Sequence, residues 1–110
     1  MEEMLEHELH ELHANLCSGL ADPKRLMILY TLAQTEHSVG DLAATLNLPQ
    51  PTVSRHLKIL RERGLVQTER AGTTVIYSLA DRRLIEALDL LRAMMGDIFD
   101  RRASVVSRAP

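Results

Sequence analysis

Aromatic side chains are scarce in this sequence: they make up 3% of its 110 residues, and Trp is absent. The core must therefore consist of Leu, Ile, Val, Ala and Met, a composition that favours packed helices over strands. A chain of 110 residues is long enough for one compact domain and too short for two ordinary ones. We expect a single, mainly α-helical domain with a small β-hairpin.

Features of exported and membrane proteins are also missing. The single cysteine, Cys17, has no partner for an internal disulfide, which fits a reducing compartment. The N-terminal stretch MEEMLEHELHE is acidic and lacks the basic and then apolar segments of a signal peptide. No apolar run approaches the ~20 residues that a membrane span requires. These absences predict a cytoplasmic protein with no membrane association.

Lysine and arginine are absent from the first part of the chain. Residues 1–22 contain six acidic side chains and no Lys or Arg, although the net charge of the whole chain is only -2. Between residues 47 and 72 the balance is reversed, with Arg55, Lys58, Arg61, Arg63 and Arg70 against Glu62 and Glu69. This segregation indicates a basic working face and an acidic end elsewhere.

The first part of the sequence predicts two helices. Leucines recur at helical spacing from Leu5 to Leu16, so the first helix should run over about residues 2–18 and end at Gly19. Asp22-Pro23 is the next start signal, an N-cap followed by Pro in the first turn. We expect this second helix to stop near Thr35.

A helix-turn-helix and a hairpin are predicted next. Ser38, with Asp41 three residues on, resembles a capping box that begins a short third helix ending at Asn47. A fourth helix should start at Pro51 and run to Arg63, closed by Gly64, so that the helix-turn-helix spans residues 38–64. Segments 66–70 and 74–78 are rich in β-branched residues and flank a glycine, which predicts a hairpin, the wing, over 66–78.

The remaining sequence predicts one long helix over residues 81–101, followed by a disordered tail at 102–110. The whole pattern is that of a winged helix-turn-helix domain spanning residues 1–101, flanked by the helices at 2–18 and 81–101.

The fourth helix combines a narrow apolar stripe with a crowded polar face. At about 100° per residue, Val53, Leu57 and Leu60 fall on one side and should dock on the third helix. Thr52 and Arg55 then point away from that side. Three further polar residues lie on the shoulders: Ser54, His56 and Lys58. We expect this polar face to be exposed.

The same face is suited to double-stranded DNA. Thr52, Ser54, Arg55 and His56 sit in the first turns, the part of a recognition helix that meets base edges in the major groove. Lys58 and Arg61 come later, where side chains more often contact the DNA backbone. Any one of these residues could belong to an ordinary solvated helix face. Their combination with a short hairpin tip that is basic on one side favours DNA binding.

On these residues the chain resembles the ArsR/SmtB family of bacterial winged-helix repressors. The matching stretches are LADPKRLMIL at 20–29, SVGDLAATLNLPQPTVSRHLKILRERGLV at 38–66 and VIYSL at 75–79. The resemblance implies a homodimeric transcriptional repressor that leaves its operator when an effector binds. It also implies DNA-reading roles for five residues of the recognition helix and places the wing at 70–74. These residues are Gln50, Thr52, Ser54, Arg55 and His56, with Arg70 and Thr73 in the wing.

The first and last helices carry more apolar residues than one small core can cover. In the last helix Leu90, Leu91, Met94 and Met95 wrap much of the circumference. Burying apolar area contributes ~25 cal/mol per Å², so a partner surface is favourable, although a wide intramolecular core is the alternative. In the family these two helices form the dimer interface. A two-fold dimer would present two recognition helices to an inverted repeat with half-sites about one DNA turn apart.

The metal-binding positions of the family are not filled here. Thiophilic-metal sensors carry Cys-x-Cys where this chain reads Ser38-Val39-Gly40. The zinc and nickel site on the last helix is replaced by Asp81-Arg82-Arg83 and by Met94 with Asp97. Thiol-based sensors need two cysteines per chain, and this one has Cys17 alone.

One candidate sensor site remains, formed by His10, His13 and Cys17. On a helix these side chains fall within about 60° of one another, and such ligands suit zinc or another transition metal. Two such clusters across a dimer axis, with Glu6, could complete a tetrahedral shell. The alternative is that the histidines are half-exposed interface residues and the cysteine a small buried hydrophobe. The sequence therefore leaves open whether this cluster binds a metal.

Two other classes of function are compatible with parts of the sequence. A winged-helix module that binds protein, through its acidic first helix or apolar last helix, is the alternative to sequence-specific DNA binding. Enzymatic use of Ser54 and His56 as nucleophile and base is rejected, because residues two apart on a helix point in different directions. The sequence also contains no glycine-rich phosphate-binding loop. We expect no catalytic residues.

Overall fold

The computed structural model describes residues 2–108, and their side chains as far as residue 103. It is mainly helical with one small antiparallel sheet, as predicted. The helices are α1 (Glu3–Leu12), α2 (Ser18–Leu20), α3 (Pro23–Gln34), α4 (Val39–Leu46), α5 (Gln50–Glu62) and α6 (Arg83–Arg108), and a π-helical turn (His13–Cys17) joins α1 to α2. The strands are β1 (His37–Ser38), β2 (Val66–Ala71) and β3 (Thr74–Leu79).

The first helical segment comprises α1, the π-helical turn and α2, and it does not end at Gly19 as predicted. Gly19 is buried inside α2, and the helix ends only at Leu20. A Cβ atom at position 19 would lie 3.0 Å from Cδ1 of Leu65 and 3.4 Å from Cγ of Arg63. Glycine is used here for close packing against the chain that follows α5, and not as a helix cap.

The start of α3 agrees with the prediction. The Asp22 side chain accepts hydrogen bonds from the backbone N–H groups of Lys24 (2.7 Å) and Arg25 (3.4 Å), and Pro23 occupies the first turn. Proline fits there because the first N–H groups of a helix have no partner within it. Thr35 is in an extended conformation and ends the helix.

The helix-turn-helix is also formed as predicted. The Ser38 hydroxyl accepts a hydrogen bond from the Asp41 backbone N–H at 3.2 Å, which caps α4. Asn47 then adopts a left-handed conformation with φ of 53°, and this residue type tolerates it. Pro51 lies in the first turn of α5, and Gly64, with φ of 75°, follows its end.

The wing is the hairpin of β2 and β3. Its register pairs Val66 with Leu79 at the base and Ala71 with Thr74 at the tip, where Gly72 has φ of 65°. A third strand, β1, pairs His37 with Tyr77 and was not predicted. A strand of two residues is too short to show the alternating pattern by which strands are recognised in a sequence.

The core is aliphatic, as the low aromatic content predicts. It gathers side chains from α3, α4, α5, the base of the wing and the start of α6. Its buried members are Ile28, Leu29, Leu32, Leu42, Val53, Leu57, Leu60, Leu65, Val66, Ile85 and Leu88. Helix α5 is therefore held on its apolar side by most of the other elements.

The last helix is longer than predicted. Helix α6 continues to Arg108, so the predicted end near residue 101 and the predicted disorder of 102–108 are wrong, while residues 109–110 lie outside the described part. No Pro or Gly lies between Gly96 and Arg108 to interrupt the helix, and Gly96 alone does not break it. None of the helices within residues 2–108 has the length and apolar character needed to span a bilayer.

Candidate nucleic-acid interface

Helix α5 presents its predicted apolar and polar sides as expected. Val53, Leu57 and Leu60 are fully buried. Most of the predicted DNA-contacting residues lie on the opposite, solvent side of the chain. Seven are exposed, namely Gln50, Ser54, Arg55, Lys58, Arg61, Arg70 and Thr73, and Thr52 is half-buried. The structure thus brings these eight residues to the surface of α5 and the wing.

His56 is the exception. The sequence placed it on an exposed shoulder of α5, but its side chain is only 5% exposed. The beginning of α3 covers that side of α5, and the His56 Nδ1 atom lies 3.3 Å from Nη1 of Arg25. The expected exposure of His56 is therefore wrong, because a helical wheel of α5 alone does not show where another helix packs.

Burial favours the neutral form of His56. Desolvation of the ring lowers its pKa below the usual value of 6.5, and the positive charges of Arg25, Arg55 and Lys24 lower it further. Asp22 opposes this effect and does not reverse it. A neutral ring can accept a hydrogen bond at Nδ1, and the guanidinium of Arg25 can only donate one.

The exposed cations of this surface are unpaired. Within residues 2–103 the ion pairs are His7–Glu11, Arg83–Asp81 and Arg92–Asp89. None of them involves a basic residue of α5 or the wing. The four free side chains are Arg55, Lys58, Arg61 and Arg70. They are available to phosphates or base edges without breaking an internal contact.

Arg25 is a member of this region that sequence reasoning missed. It follows the Asp22 cap, and its guanidinium extends to the end of the first helical segment and to His56. No periodic or spacing signal marks it, because residues 25 and 56 meet only when α3 packs on α5. The neighbouring Lys24 is exposed and close enough to affect the pKa of His56.

The candidate sensor residues lie on the first helical segment. His10 is in the last turn of α1, whereas His13 and Cys17 belong to the π-helical turn, and all three are exposed. A π-helical turn widens the spacing, so the three side chains do not follow the α-helical geometry that predicted their convergence. In the part of one chain that the structure describes, no three His, Cys, Asp or Glu side chains are placed to hold a metal ion.

Two helices carry most of the exposed large apolar side chains. Helix α1 has no buried residue at all. Its exposed apolar residues are Met4, Leu5, Leu9 and Leu12, and those of α6 are Leu90, Leu91, Met94, Met95 and Phe99. These apolar surfaces come from parts of the sequence other than α5, whose exposed face is polar. They form a second candidate contact surface.

Comparison with known proteins gives a family match over the same region. A family model described as bacterial regulatory protein, arsR family, matches residues 22–68. The matched stretch begins at the cap of α3 and ends in β2, so it contains the whole helix-turn-helix. The biofilm growth-associated repressor of Agrobacterium fabrum (strain C58) is 51% identical over 78 residues, which are 68% of this chain and 67% of that protein.

Solved structures resemble the chain over a longer stretch. NolR from Sinorhizobium fredii has a TM-score of 0.75 at 36% identity, covering 87% of this chain and 95% of its own. A homodimeric winged helix-turn-helix DNA-binding domain from Mycobacterium bovis, of a possible ArsR-family transcriptional regulator, has a TM-score of 0.78 at 27% identity. That likeness covers 92% of this chain and 93% of the other. The similarity therefore extends beyond the helix-turn-helix to the flanking helices.

Proposed function

The chain belongs to the ArsR family of bacterial regulatory proteins, and we propose that it is a homodimeric repressor that reads an inverted-repeat operator with α5. It is a DNA-binding transcriptional regulator and not an enzyme, and the alternative of a protein-binding module is not favoured. We also propose which residues contact the operator and which residues bind the effector.

The main support for the DNA contact is that the polar half of α5 is exposed beside a fully buried apolar stripe. The cations of this polar half are unpaired. We assign Gln50, Ser54 and Arg55, in the first turns, to base edges of the major groove. Lys58 and Arg61, further along the helix, are assigned to phosphates. Thr52 is half-buried at the edge of this face.

The wing supplies a second contact in this proposal. Arg70 and Thr73 flank the Gly72 turn and are both exposed at the tip of the hairpin. A tip of this kind can reach the DNA backbone beside the groove that α5 occupies. Arg70 is one of the free cations, so contact with a phosphate replaces only its solvation.

The proposed dimer rests on the shape and surface of the chain. Its radius of gyration is 17.5 Å and its longest extent 64 Å, whereas a compact domain of this length has a radius of gyration of about 13 Å. Helix α1 buries nothing within one chain, and α6 exposes five large apolar side chains. A second copy that covers both helices would remove this apolar area from water. The Mycobacterium bovis domain is itself homodimeric.

The proposed effector site is the His10, His13 and Cys17 cluster, with zinc or another transition metal as one class of signal and a thiol oxidant as another. One chain does not gather three ligands there, so a metal site requires side chains from both copies. The site lies on the segment that would form the dimer, which is where a ligand could alter the spacing of two recognition helices.

The experiment that tests the function begins with an operator. Purified protein selects duplexes from a random pool of about 30 base pairs, long enough for two half-sites one turn apart. The selected duplex should be an inverted repeat, and log K should fall steeply as log salt rises. Selection of no duplex over random sequence at physiological salt would contradict the proposal and favour the protein-binding module.

A further inference from the structure

We propose that Arg25 and His56 are positioning residues, which hold α5 in its DNA-reading orientation by linking it to the end of the first helical segment. The inference rests on the proposed function, since it concerns how α5 is presented to DNA. We assign neither residue a contact with DNA. His56 is buried and Arg25 is half-buried, and both are occupied by partners inside the protein.

The guanidinium of Arg25 joins two elements. Its Nε donates to the Gly19 carbonyl at 2.7 Å, and its Nη2 donates to the Ser18 carbonyl at 3.2 Å. Nη1 lies 3.3 Å from Nδ1 of His56. The last carbonyls of a helix have no partner within it, so an arginine that caps them is strongly held. A planar guanidinium with donors in fixed directions then sets where the His56 ring must lie.

The geometry requires a neutral His56. Arg25 can only donate, so Nδ1 must accept and the ring proton must be on Nε2. Protonation of the ring would replace this contact with two cations 3.3 Å apart. The charged groups that face the ring are Asp22, Lys24 and Arg25 from the start of α3, and Arg55 from α5 itself. Three of these four are positive, which disfavours a second charge on the ring.

A second link lies at the C-terminal end of α5. The Arg63 Nη1 donates to the Ala14 carbonyl at 2.8 Å, which lies in the π-helical turn. Beside it, Leu65 packs closely against Gly19, since a Cβ atom at position 19 would lie 3.0 Å from Cδ1 of Leu65, which is tighter than an ordinary contact. The first helical segment is thus fixed to α5 through His56 in its middle and through Arg63 at its end.

These links give α5 a fixed relation to the exposed apolar surface of α1. A displacement of the first helical segment must either move α5 or break the Arg25 contacts. Base reading requires several α5 side chains to meet base edges at once, so a small rotation of α5 reduces sequence discrimination more than general affinity for phosphates. The ratio of affinities for the selected and a scrambled duplex therefore reports on this positioning.

The variants separate the hydrogen bond from burial and charge. His56→Leu fills the buried site without an acceptor, whereas His56→Asn keeps an acceptor at the place of Nδ1. Arg25→Lys keeps the charge and loses the fixed directions of the guanidinium. Arg83→Lys is the matched control, since Arg83 is an exposed arginine at the start of α6 whose side chain is paired with Asp81 alone among residues 2–103.

The measurement is fluorescence anisotropy with the selected duplex and its scrambled counterpart at one salt concentration. His56→Leu and Arg25→Lys should each lower the ratio of the two affinities about tenfold, the effect of one lost hydrogen bond to a charged group. His56→Asn and Arg83→Lys should retain the wild-type ratio within about threefold. Circular dichroism and sedimentation establish that each variant is folded and dimeric.

The pH dependence of this affinity ratio distinguishes a positioning role from a purely structural one, because a purely structural role would not make the ratio depend on pH. The wild-type ratio should fall as the pH is lowered from about 7.5 to 5, because protonated His56 no longer accepts from Arg25. In His56→Asn this affinity ratio should change less with pH, because asparagine does not titrate. The other histidines are the same in both proteins, so a difference between the two profiles arises from position 56. This comparison decides the question even if His56→Leu does not fold.

Wild-type ratios in folded, dimeric Arg25→Lys and His56→Leu would overturn the proposal, as would identical pH profiles for the wild type and His56→Asn. Failure of the proposed function has a different signature: the wild-type protein itself then selects no duplex, and both proposals fall together.

Discussion

At the residue scale, Arg55 and Lys58 are exposed on the same face of α5 and should act differently on DNA. Arg55 lies in the first turns, where it can reach a base edge, and Lys58 lies further along. Arg55→Ala should cost about 1–3 kcal/mol of binding to the selected duplex and relax base preference at one position. Lys58→Ala should weaken binding to all sequences alike and reduce the salt slope by about one.

Repeating the duplex selection with each variant separates the two effects. Arg55→Ala should return a site that is degenerate at one position in each half, and Lys58→Ala should return the wild-type site. An unchanged site from Arg55→Ala would assign Arg55 to the DNA backbone.

His13 and Cys17 support a second prediction at this scale. If they bind the effector, the double variant His13→Ala/Cys17→Ser should keep wild-type DNA affinity and lose release by the effector, because neither residue lies on α5 or the wing. The wild-type protein–DNA complex is titrated with zinc, copper, nickel, arsenite and an oxidant. The matched control is His7→Ala, which alters an exposed histidine of the first helical segment outside the cluster. Full release from the double variant would eliminate the cluster as the sensor.

At the element scale, a cluster of three side chains joins α3 to α6. The Tyr30 hydroxyl donates to the Asp89 carboxylate at 2.6 Å, and the Arg92 guanidinium lies 5.1 Å from the centre of the Tyr30 ring. Burial, and then the hydrogen bond to Asp89, raise the pKa of Tyr30 above its usual value, so the hydroxyl stays protonated as a donor. The cluster fixes the start of the exposed α6 surface relative to the core.

Tyr30→Phe should lower the free energy of unfolding by about 1 kcal/mol, because it removes this hydrogen bond and keeps the ring. This free energy of unfolding is measured by urea denaturation at one protein concentration. The control is Tyr77→Phe, since the half-buried Tyr77 makes no side-chain hydrogen bond among the described residues and should change the free energy by less than about 0.5 kcal/mol. Equal effects of the two substitutions would show that the Tyr30–Asp89 hydrogen bond contributes nothing measurable.

Element boundaries show where local sequence signals are sufficient. The caps of α3 and α4 depend on side chains two or three residues from the N–H groups that they bind, so Asp22 and Ser38 were identified from sequence alone. Gly19 has the same local appearance as a helix stop, but it is fixed by its contact with Leu65, far along the chain. Local rules therefore failed where a distant residue decided the role of the glycine.

At the scale of the whole molecule, the exposed helices predict that the dimer is required for operator binding. Leu91 and Met95 lie one turn apart on α6 and are about half exposed in one chain. Leu91→Glu/Met95→Glu would bury unpaired charges in a dimer, so it should yield monomers in sedimentation experiments. Affinity for the selected inverted repeat should fall about 100-fold or more, since two half-sites are no longer engaged together.

Ala44→Glu, on an exposed position of α4, adds one negative charge outside both apolar helices and should leave the dimer intact. A dimeric Leu91→Glu/Met95→Glu protein with wild-type operator affinity would rule out this part of α6 as the interface.

The exposure of the candidate site residues was predicted in large part, because an amphipathic helix shows its exposed face through its own spacing. Eight of the nine predicted DNA-contacting residues are exposed or half-buried, and only His56 is buried. The Arg25–His56 contact, the π-helical turn and β1 were all missed. Each of them depends on which elements pack together, and that information is not contained in the periodicity of any one element.

By itself, the sequence determined the helical class, the caps, the hairpin and the polar face of α5, since these follow from interactions between residues close along the chain. Only the tertiary structure decided that His56 faces Arg25, that Gly19 is a packing position and that α1 buries nothing within one chain. Those outcomes depend on contacts between distant segments, which form only when burial of the common core brings the segments together.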